Sequence, residues 1–275
     1  MTTVRVYGAP HSPWVQAVLL GLHDAGITHS LTTLPTLKLF IESGIMMPAA
    51  KIDERDWQLE STDILSSIGF EPVSIEQMQL VQQAWRGVHH RADSTALFWG
   101  GFSLAADRNS SVIKRLAHNF LRSFITLYFY LMIRILMVIK GASDPPDYGA
   151  QFLPFEEMLS KYDAPYLSGE EPNSLDYLIF GIIQCHSSIY VPPITALQSD
   201  PRLENLRNWI SRMQARFQDY AYIYSGIYFS PHSAHPKRPP LIDRIAFWLG
   251  GISMVALFPI TVPLVMFLAL RVKRS

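Results

Sequence analysis

The apolar positions at the start of the chain first follow a strand period and then a helix period. Residues 4–9 read VRVYGA, which is a short β-type run. From Pro13 onward apolar residues recur at helical spacing until Gly26. Because proline is tolerated in the first turn of a helix and glycine commonly follows the last, this pattern predicts a strand and then a helix.

The same alternation continues as far as Gly69. HSLTTL at residues 29–34 is a second strand candidate, and TLKLFIES at residues 36–43 is a short helix. A third strand, MMPAAKI, contains Pro48, and the segment after the turn-like DERD holds a short strand and another helix. The order β-α-β-α-β-β-α predicts a thioredoxin-like α/β domain in residues 1–71.

Residues 74–229 follow a helical pattern with little strand signal, which predicts an all-α second domain. One segment, FITLYFYLMIRILMVI at residues 124–139, is apolar on nearly every side apart from Arg134. Since an ordinary domain helix keeps a polar face, we expect this helix to lie at the centre of the helical domain. The alternative is that it lies against a bilayer or lines an apolar pocket through Tyr128 and Tyr130.

The last apolar segment differs from the rest because residues 245–270 contain no charge. Its length exceeds the roughly 18 residues at which a membrane helix is the default interpretation. We therefore predict a single transmembrane helix over residues 245–270, after a proline-rich linker at 230–244 and before a basic tail at 271–275. A buried core helix is one alternative, and Pro259 and Pro263 leave room for a re-entrant hairpin.

Composition narrows the functional classes. The chain has 275 residues, enough for two domains, and its 23 basic and 23 acidic residues give no electrostatic footprint for nucleic acid. Cys185 is the only cysteine, which excludes an intrachain disulfide and fits a reducing compartment. His232 and His235 lie in the linker without a third ligand, so we expect no metal site. The opening residues do not form a secretory signal, so the folded domains are expected in the cytosol.

Three separated motifs resemble the soluble glutathione transferase family. SPWVQAVLLGLHDAGI, beginning at Ser12, is similar to the tau-class pattern Ser-Pro-Phe-Val and its helix. Met47-Pro48 stands where the family has an apolar residue before a cis-proline, and Glu60-Ser61 matches the Glu-Ser pair that opens the third helix. The resemblance covers about four-fifths of the chain and implies the two-domain transferase fold, with glutathione as co-substrate and no metal.

The resemblance assigns Ser12 to the glutathione thiolate. The attacking species in such a transfer is the thiolate, and a thiol of pKa about 8.5 must be ionised near neutral pH. A hydroxyl can donate a hydrogen bond to the sulfur, and the positive end of the helix that begins at Pro13 also favours the anion. The alternative is that Ser12 only caps this helix.

The remaining glutathione contacts also follow from the resemblance. The backbone of Met47, before a cis Pro48, would pair with the cysteinyl unit like an added strand. Ser61 suits the γ-glutamyl carboxylate, and Glu60 suits the α-amino group.

The chain departs from the tau-like pattern where Met46 replaces a lysine just before the apolar pair. Lys38 or Lys51 is therefore expected to face the glycine carboxylate. The apolar acceptor substrate is expected to contact one histidine and three aromatic side chains. They come from both predicted domains and are His11, Trp14, Trp85 and Tyr128.

The resulting prediction is an enzyme that conjugates glutathione to apolar electrophiles that partition into membranes. It is expected to sit on a lipid bilayer through a single-pass C-terminal anchor, with a homodimer as a further expected assembly. The alternative is a non-catalytic membrane adaptor of the same fold, and metaxins and ganglioside-induced differentiation-associated proteins are similar in carrying a C-terminal anchor. Ser12 and Glu60-Ser61 favour the enzyme, whereas the missing lysine favours the adaptor.

Overall fold

The computed structural model describes residues 3–33, 35–44, 46–89, 99–101, 111–140, 147–162, 164–188, 194–224 and 239–271. Most of the predicted linker, with His232 and His235, and all but the first residue of the predicted basic tail lie outside them.

The first part of the chain is a small mixed sheet with helices. Its elements are β1 Val4–Tyr7, α1 Pro13–Asp24, β2 His29–Thr32, α2 Leu37–Ser43, β3 Ala49–Ile52 and α3 Ser61–Ser67. The strand order is β2-β1-β3, with β1 parallel to β2 and antiparallel to β3. A helical crossover is what parallel pairing requires, and α1 supplies it between β1 and β2. The predicted order of elements is confirmed from β1 to β3.

The predicted fourth strand is wrong in extent. Only a single antiparallel bridge, between Ala50 and Gln58, is formed. Asp53 turns the chain with a φ of 52°, and α3 already begins at Ser61, so few residues remain for a ladder. Trp57 instead packs with neighbouring apolar side chains against a small cluster of Tyr7 on β1, Leu39 on α2 and Ala49 on β3.

The second part is helical. It contains α4 Ile75–His89, α5 Val112–Lys140, α6 Leu153–Tyr162, α7 Ser174–Ser187, α8 Thr195–Ser199 and α9 Glu204–Arg216. Every residue of α7 is buried, and this helix packs on α1 of the first part. Gly181 permits the contact because a Cβ there would meet the backbone of Pro13 and Ala17. One continuous apolar cluster therefore includes side chains from both parts.

A capping box starts α7, and the sequence predicts it because Asn173 is followed three residues later by Asp176. The Asn173 side chain accepts a hydrogen bond from the backbone N–H of Ser174 at 2.8 Å. The Asp176 carboxylate reaches back to the backbone N–H of Asn173 at 3.2 Å. These contacts satisfy donors that a helix N-terminus leaves without intrahelical partners.

The last helix, α10 Leu241–Arg271, begins before the uncharged run and lies parallel to α5. The Arg115 guanidinium pairs with the Asp243 carboxylate at 2.8 Å near the start of both helices. Further along, the rings of Tyr128 and Phe258 lie 5.8 Å apart. Between these contacts, a Cβ on Gly250 would collide with α5, so the two backbones approach closely there. We call this contact line the α5–α10 seam.

The seam corrects two expectations. The apolar segment of α5 is not central to the helical domain, since Ile135 is 56 % exposed and Val138 79 % exposed. The tail helix is not a separate element behind a tether, because Asp243, Gly250 and Met254 are buried against the rest of the protein. The helix also continues through its two prolines, so the described residues form no re-entrant hairpin.

Two helices of the described chain are long and apolar enough to cross a membrane. They are Val112–Ile139, whose most apolar 18-residue stretch has a mean hydropathy of 1.7, and Leu241–Leu264, whose stretch of that length has 2.0. A helix in a soluble core can match this length and composition, but only 19 % and 17 % of these two stretches is buried. The pair therefore presents a wide apolar surface.

Candidate functional site

Ser12 is the N-cap residue of α1, directly after the loop that leaves β1. Its backbone is extended, with φ −65° and ψ 129°, but its side chain makes no capping hydrogen bond. The side chain is half-buried, between a buried His11 and a buried Pro13. The simple capping role is therefore not realised, and the hydroxyl lies at the positive end of a 12-residue helix.

The Met47-Pro48 peptide bond is cis, as the sequence predicts. It lies beside the end of β1, because Tyr7 pairs with Ala49 in the antiparallel register. The backbone N–H of Ala9 donates to the Met47 sulfur at 3.4 Å. The cis-proline and the loop that carries Ser12 therefore meet at one edge of the sheet.

Glu60 and Ser61 reach the same edge. Gln58 opposes Ala50 in an antiparallel bridge, so the chain runs from there toward the Pro48 end of β3. Glu60 is the exposed N-cap residue of α3 and makes no side-chain capping bond, while Ser61 is buried. The three motifs that the sequence singled out are thus brought together at this edge, which we call the motif edge.

The two candidate lysines are placed differently. Lys51 lies inside β3 opposite Arg5, and its ammonium pairs with Glu54 at 3.5 Å. Its charge therefore lies at the turn after β3, at the end of the strand opposite Pro48. Lys38 is exposed on α2, which follows the end of β2 at the motif edge. Of the two, only Lys38 stays near the motif edge.

His11 is almost completely buried, with 1 % of its surface exposed. Its ring lies 3.9 Å from the ring of Tyr224, in the segment that follows α9. Beside it, Gln16 donates to the carbonyl of Tyr222 at 3.2 Å and accepts from the hydroxyl of Tyr220 at 3.2 Å. This closing segment is not among the residues predicted from the sequence, although the alternating tyrosines of DYAYIY are a visible signal.

The predicted acceptor residues divide into two groups. The rings of Trp14 and Trp85 meet edge to face at 6.1 Å, and Trp85 stacks on His186 at 5.5 Å. The His186 Nδ1 is in turn 3.0 Å from the Tyr148 hydroxyl. Tyr128 lies elsewhere, on the α5–α10 seam. An acceptor pocket beside Ser12 would therefore use the two tryptophans without Tyr128.

Burial fixes the protonation of two groups in α7. It lowers the pKa of His186 from 6.5 to about 3, against the opposing effect of a hydrogen bond between the imidazole and the Trp85 backbone. It also raises the pKa of the Cys185 thiol well above its usual value, so this cysteine is not a thiolate nucleophile at neutral pH. Within the described residues, no three His, Cys, Asp or Glu side chains are grouped so that they could hold a metal ion.

His186 should make the protein acid-sensitive. The unfolded chain binds a proton at this residue near pH 6.5, whereas the folded protein binds it only near pH 3. Stability from this group is therefore complete above pH 6.5 and is lost as the pH falls toward 3. Between pH 7 and pH 5 the loss should be about 2 kcal/mol. Urea unfolding in mild detergent should show this loss in the wild type and in the half-exposed control His29→Gln, but not in His186→Gln.

No protein-family model matches the chain, and no curated protein matches its sequence. Among solved structures, a theta-class glutathione S-transferase from Xanthomonas axonopodis pv. citri with glutathione bound is 16 % identical, with a TM-score of 0.44. That alignment covers 79 % of this chain and 97 % of the other. Poplar glutathione transferase F1 is 15 % identical with a TM-score of 0.43, covering 80 % and 96 %. Values this low assign neither a family nor an activity.

Proposed function

We propose that the protein conjugates glutathione to apolar electrophiles. The observation that carries this proposal is the Ser12 hydroxyl, which α1 leaves unused as a cap at the motif edge. A hydroxyl at the positive end of a helix is suited to hold a thiolate, because both its donor and the helix dipole favour the anion. The thiolate would attack the electrophilic carbon, forming a carbon–sulfur bond while the leaving group departs, and the thiol proton would have gone to solvent beforehand.

The other residues of the motif edge would hold the tripeptide. The backbone before Pro48 can pair with the cysteinyl unit as an added strand. The Ser61 hydroxyl would donate to the γ-glutamyl carboxylate, and the Glu60 carboxylate would accept from the α-amino group. Trp14, two residues after Ser12, and Trp85 would supply an apolar surface for the acceptor.

The Glu60 and Ser61 assignment predicts a loss of binding. Glu60→Ala/Ser61→Ala should weaken glutathione binding by about 150-fold or more, because each of the two lost hydrogen bonds to a charged group contributes about 1.5–3 kcal/mol. Calorimetric titration of the detergent-solubilised full chain measures this. Ser66→Ala/Glu71→Ala is the matched control, since both side chains are exposed near α3. Equal affinity in the two double variants would contradict the assignment.

A non-catalytic membrane adaptor is the second candidate. It is favoured by Met46, which replaces the expected lysine, and by Lys51, whose charge pairs with Glu54 away from the motif edge. An adaptor would need no cation for the glycine carboxylate of glutathione. The same calorimetric experiment separates the candidates, because an adaptor would show no heat of glutathione binding in the wild-type protein.

We also propose that α10 attaches the protein to a membrane and leaves the folded domains in the cytosol. The sequence favours a single crossing by this helix. Helix α1 precedes α5 in the chain and α7 follows it, and these two helices pack together. The chain therefore lies on the same side of the membrane before and after α5, so α5 does not cross the membrane in a single pass. The seam favours a competing arrangement, in which α10 stays on α5 and lies along the membrane surface. A glycosylation site added after residue 275 would be modified in the lumen only if α10 crosses.

Charge in α10 should weaken attachment. Val255 is 59 % exposed and lies off the seam, so Val255→Asp should leave the contact with α5 intact. An aspartate at the centre of a membrane helix costs about 2.5–3.5 kcal/mol, so this variant should partly enter the soluble fraction on alkaline carbonate extraction. Val255→Ala is the control and should stay in the pellet. Wild-type protein in the soluble fraction would rule out an integral attachment.

A further inference from the structure

A cleft of about 240 Å³ lies between α5 and α10, apart from the motif edge. Its lining includes Trp99, Thr126 and Tyr130 on one side and Phe247, Trp248 and Gly251 on the other. Among these lining residues, Trp99 and Phe247 are buried, whereas Trp248 is 63 % exposed. The cleft is therefore open on the side where α10 faces outward.

Two of the three hydroxyl groups that line the cleft are already committed to their own helix, and the third belongs to Tyr130. Thr126 donates to the carbonyl of Arg122 at 3.0 Å, and Ser123 donates to the carbonyl of Phe120 at 2.7 Å. The rest of the lining is dominated by aromatic and aliphatic carbon. A guest that fits against such walls must itself be mostly apolar.

The size of the cleft limits the occupant. Pockets for drug-sized ligands measure about 300–1,000 Å³, and an apolar cavity of about 150 Å³ holds one benzene. At about 240 Å³ the cleft falls between these sizes. It fits a slender hydrocarbon segment and is too small for a glutathione conjugate.

The position of the cleft favours a lipid chain as that segment. The Arg115–Asp243 ion pair is the charged contact at the start of the seam. Gly251 lies eight residues further along α10, which is about 12 Å at 1.5 Å per residue. Around the rim, Trp248 and Ile252 are 63 % and 65 % exposed, so the surface through which the cleft opens is itself apolar.

The two adjacent glycines have different roles. A Cβ on Gly250 would collide with Ser123 and the backbone of Phe120, so this residue lets the helices approach. A Cβ on Gly251 would meet nothing within 4 Å, although Gly251 lines the cleft. The seam is thus closed at one glycine and open at the next, which leaves room for a guest.

We propose that the cleft between α5 and α10 binds one acyl chain of a membrane lipid. This inference rests on the membrane attachment in the proposed function but not on glutathione binding. In a bilayer the open rim faces hydrocarbon, and a chain that enters gains dispersion contacts with the aromatic walls that an empty cleft lacks. The lipid would help to hold α10 on α5.

The test is photolabelling of the full chain in nanodiscs of phosphatidylcholine that carries a diazirine on one acyl chain. Mass spectrometry should find adducts on Trp99 and Thr126, which are 7 % and 3 % exposed and are shielded from the bulk lipid. Adducts confined to outward residues such as Ile252 and Val255 would overturn the proposal. Absence of any adduct would overturn both the proposal and the membrane attachment.

A matched pair of variants locates the chain. Gly251→Leu should fill the cleft and reduce the inner adducts at least fivefold while leaving adducts on the outer face. Ile252→Leu, one residue further and facing outward, should label like the wild type. Unchanged inner labelling in Gly251→Leu would contradict binding in this cleft. Glutathione titration of the same samples reports the motif edge separately, so failure of one proposal is distinguishable from failure of the other.

Discussion

Replacing Ser12 with alanine is expected to lower kcat/KM for glutathione conjugation by about 10- to 150-fold. The lost interaction is one hydrogen bond from the hydroxyl to the thiolate, and a bond to a charged group contributes about 1.5–3 kcal/mol. The pKa of the bound thiol should rise at the same time, because only the ionised sulfur benefits from the donor. Glutathione itself should still bind, since its carboxylates and backbone are held elsewhere.

The measurement is steady-state kinetics together with an ultraviolet titration of the bound thiolate. Ser66→Ala is the matched control, because that serine is exposed on α3 away from α1. A structural role alone would change stability without moving the thiolate pKa. An alanine variant with the wild-type rate and the wild-type thiolate pKa would leave Ser12 without a catalytic role.

Removing the Asp176 carboxylate is expected to destabilise the fold by about 3 kcal/mol or more. The carboxylate is buried and accepts hydrogen bonds from the backbone of Leu167, Ser168 and Asn173 and from the indole of Trp209, at 2.8–3.2 Å. Asp176→Ala would leave these four donors without their acceptor. Because they come from a loop, from the start of α7 and from α9, the loss should loosen the whole helical part.

Urea unfolding of the detergent-solubilised chain tests this expectation. Asp63→Ala is the control, since Asp63 is an exposed acidic residue in the first turn of α3. Surface changes of this kind usually alter stability by less than about 0.5 kcal/mol. If Asp176→Ala unfolds at the same urea concentration as the control, the carboxylate does not hold these elements together.

Local sequence signals predicted the elements of the first part and the start of α7. Proline at position 13, glycine at 26 and the Asn173–Asp176 box act within a few residues of themselves, so their effect is readable from neighbours alone. The fourth strand failed for a different reason. Its extent depended on competition with α3 for the same residues, which the alternating pattern does not report.

The motifs of the candidate site could be predicted from the sequence, but their proximity in space could not. The order and spacing of Ser12, Met47-Pro48 and Glu60-Ser61 suggested a shared ligand, whereas their meeting at one sheet edge depends on the register of β3. Spacing in the sequence also does not show at which end of a strand the charge of a lysine lies. Lys51 is only three residues from Pro48, yet the extended strand carries its charge to the opposite end, where Glu54 pairs with it.

The sequence by itself determined that α5 and α10 are long and apolar, because composition and length are local properties. Only the tertiary structure decided that the two helices lie in parallel on one another. That contact joins positions 128 residues apart, as in the pair of Arg115 and Asp243, and no periodicity spans such a distance. It also depends on the missing side chain of Gly250, where the backbones approach, and on the open space at Gly251. The two neighbouring glycines look alike in the sequence, and they differ only in what packs against them in the folded protein.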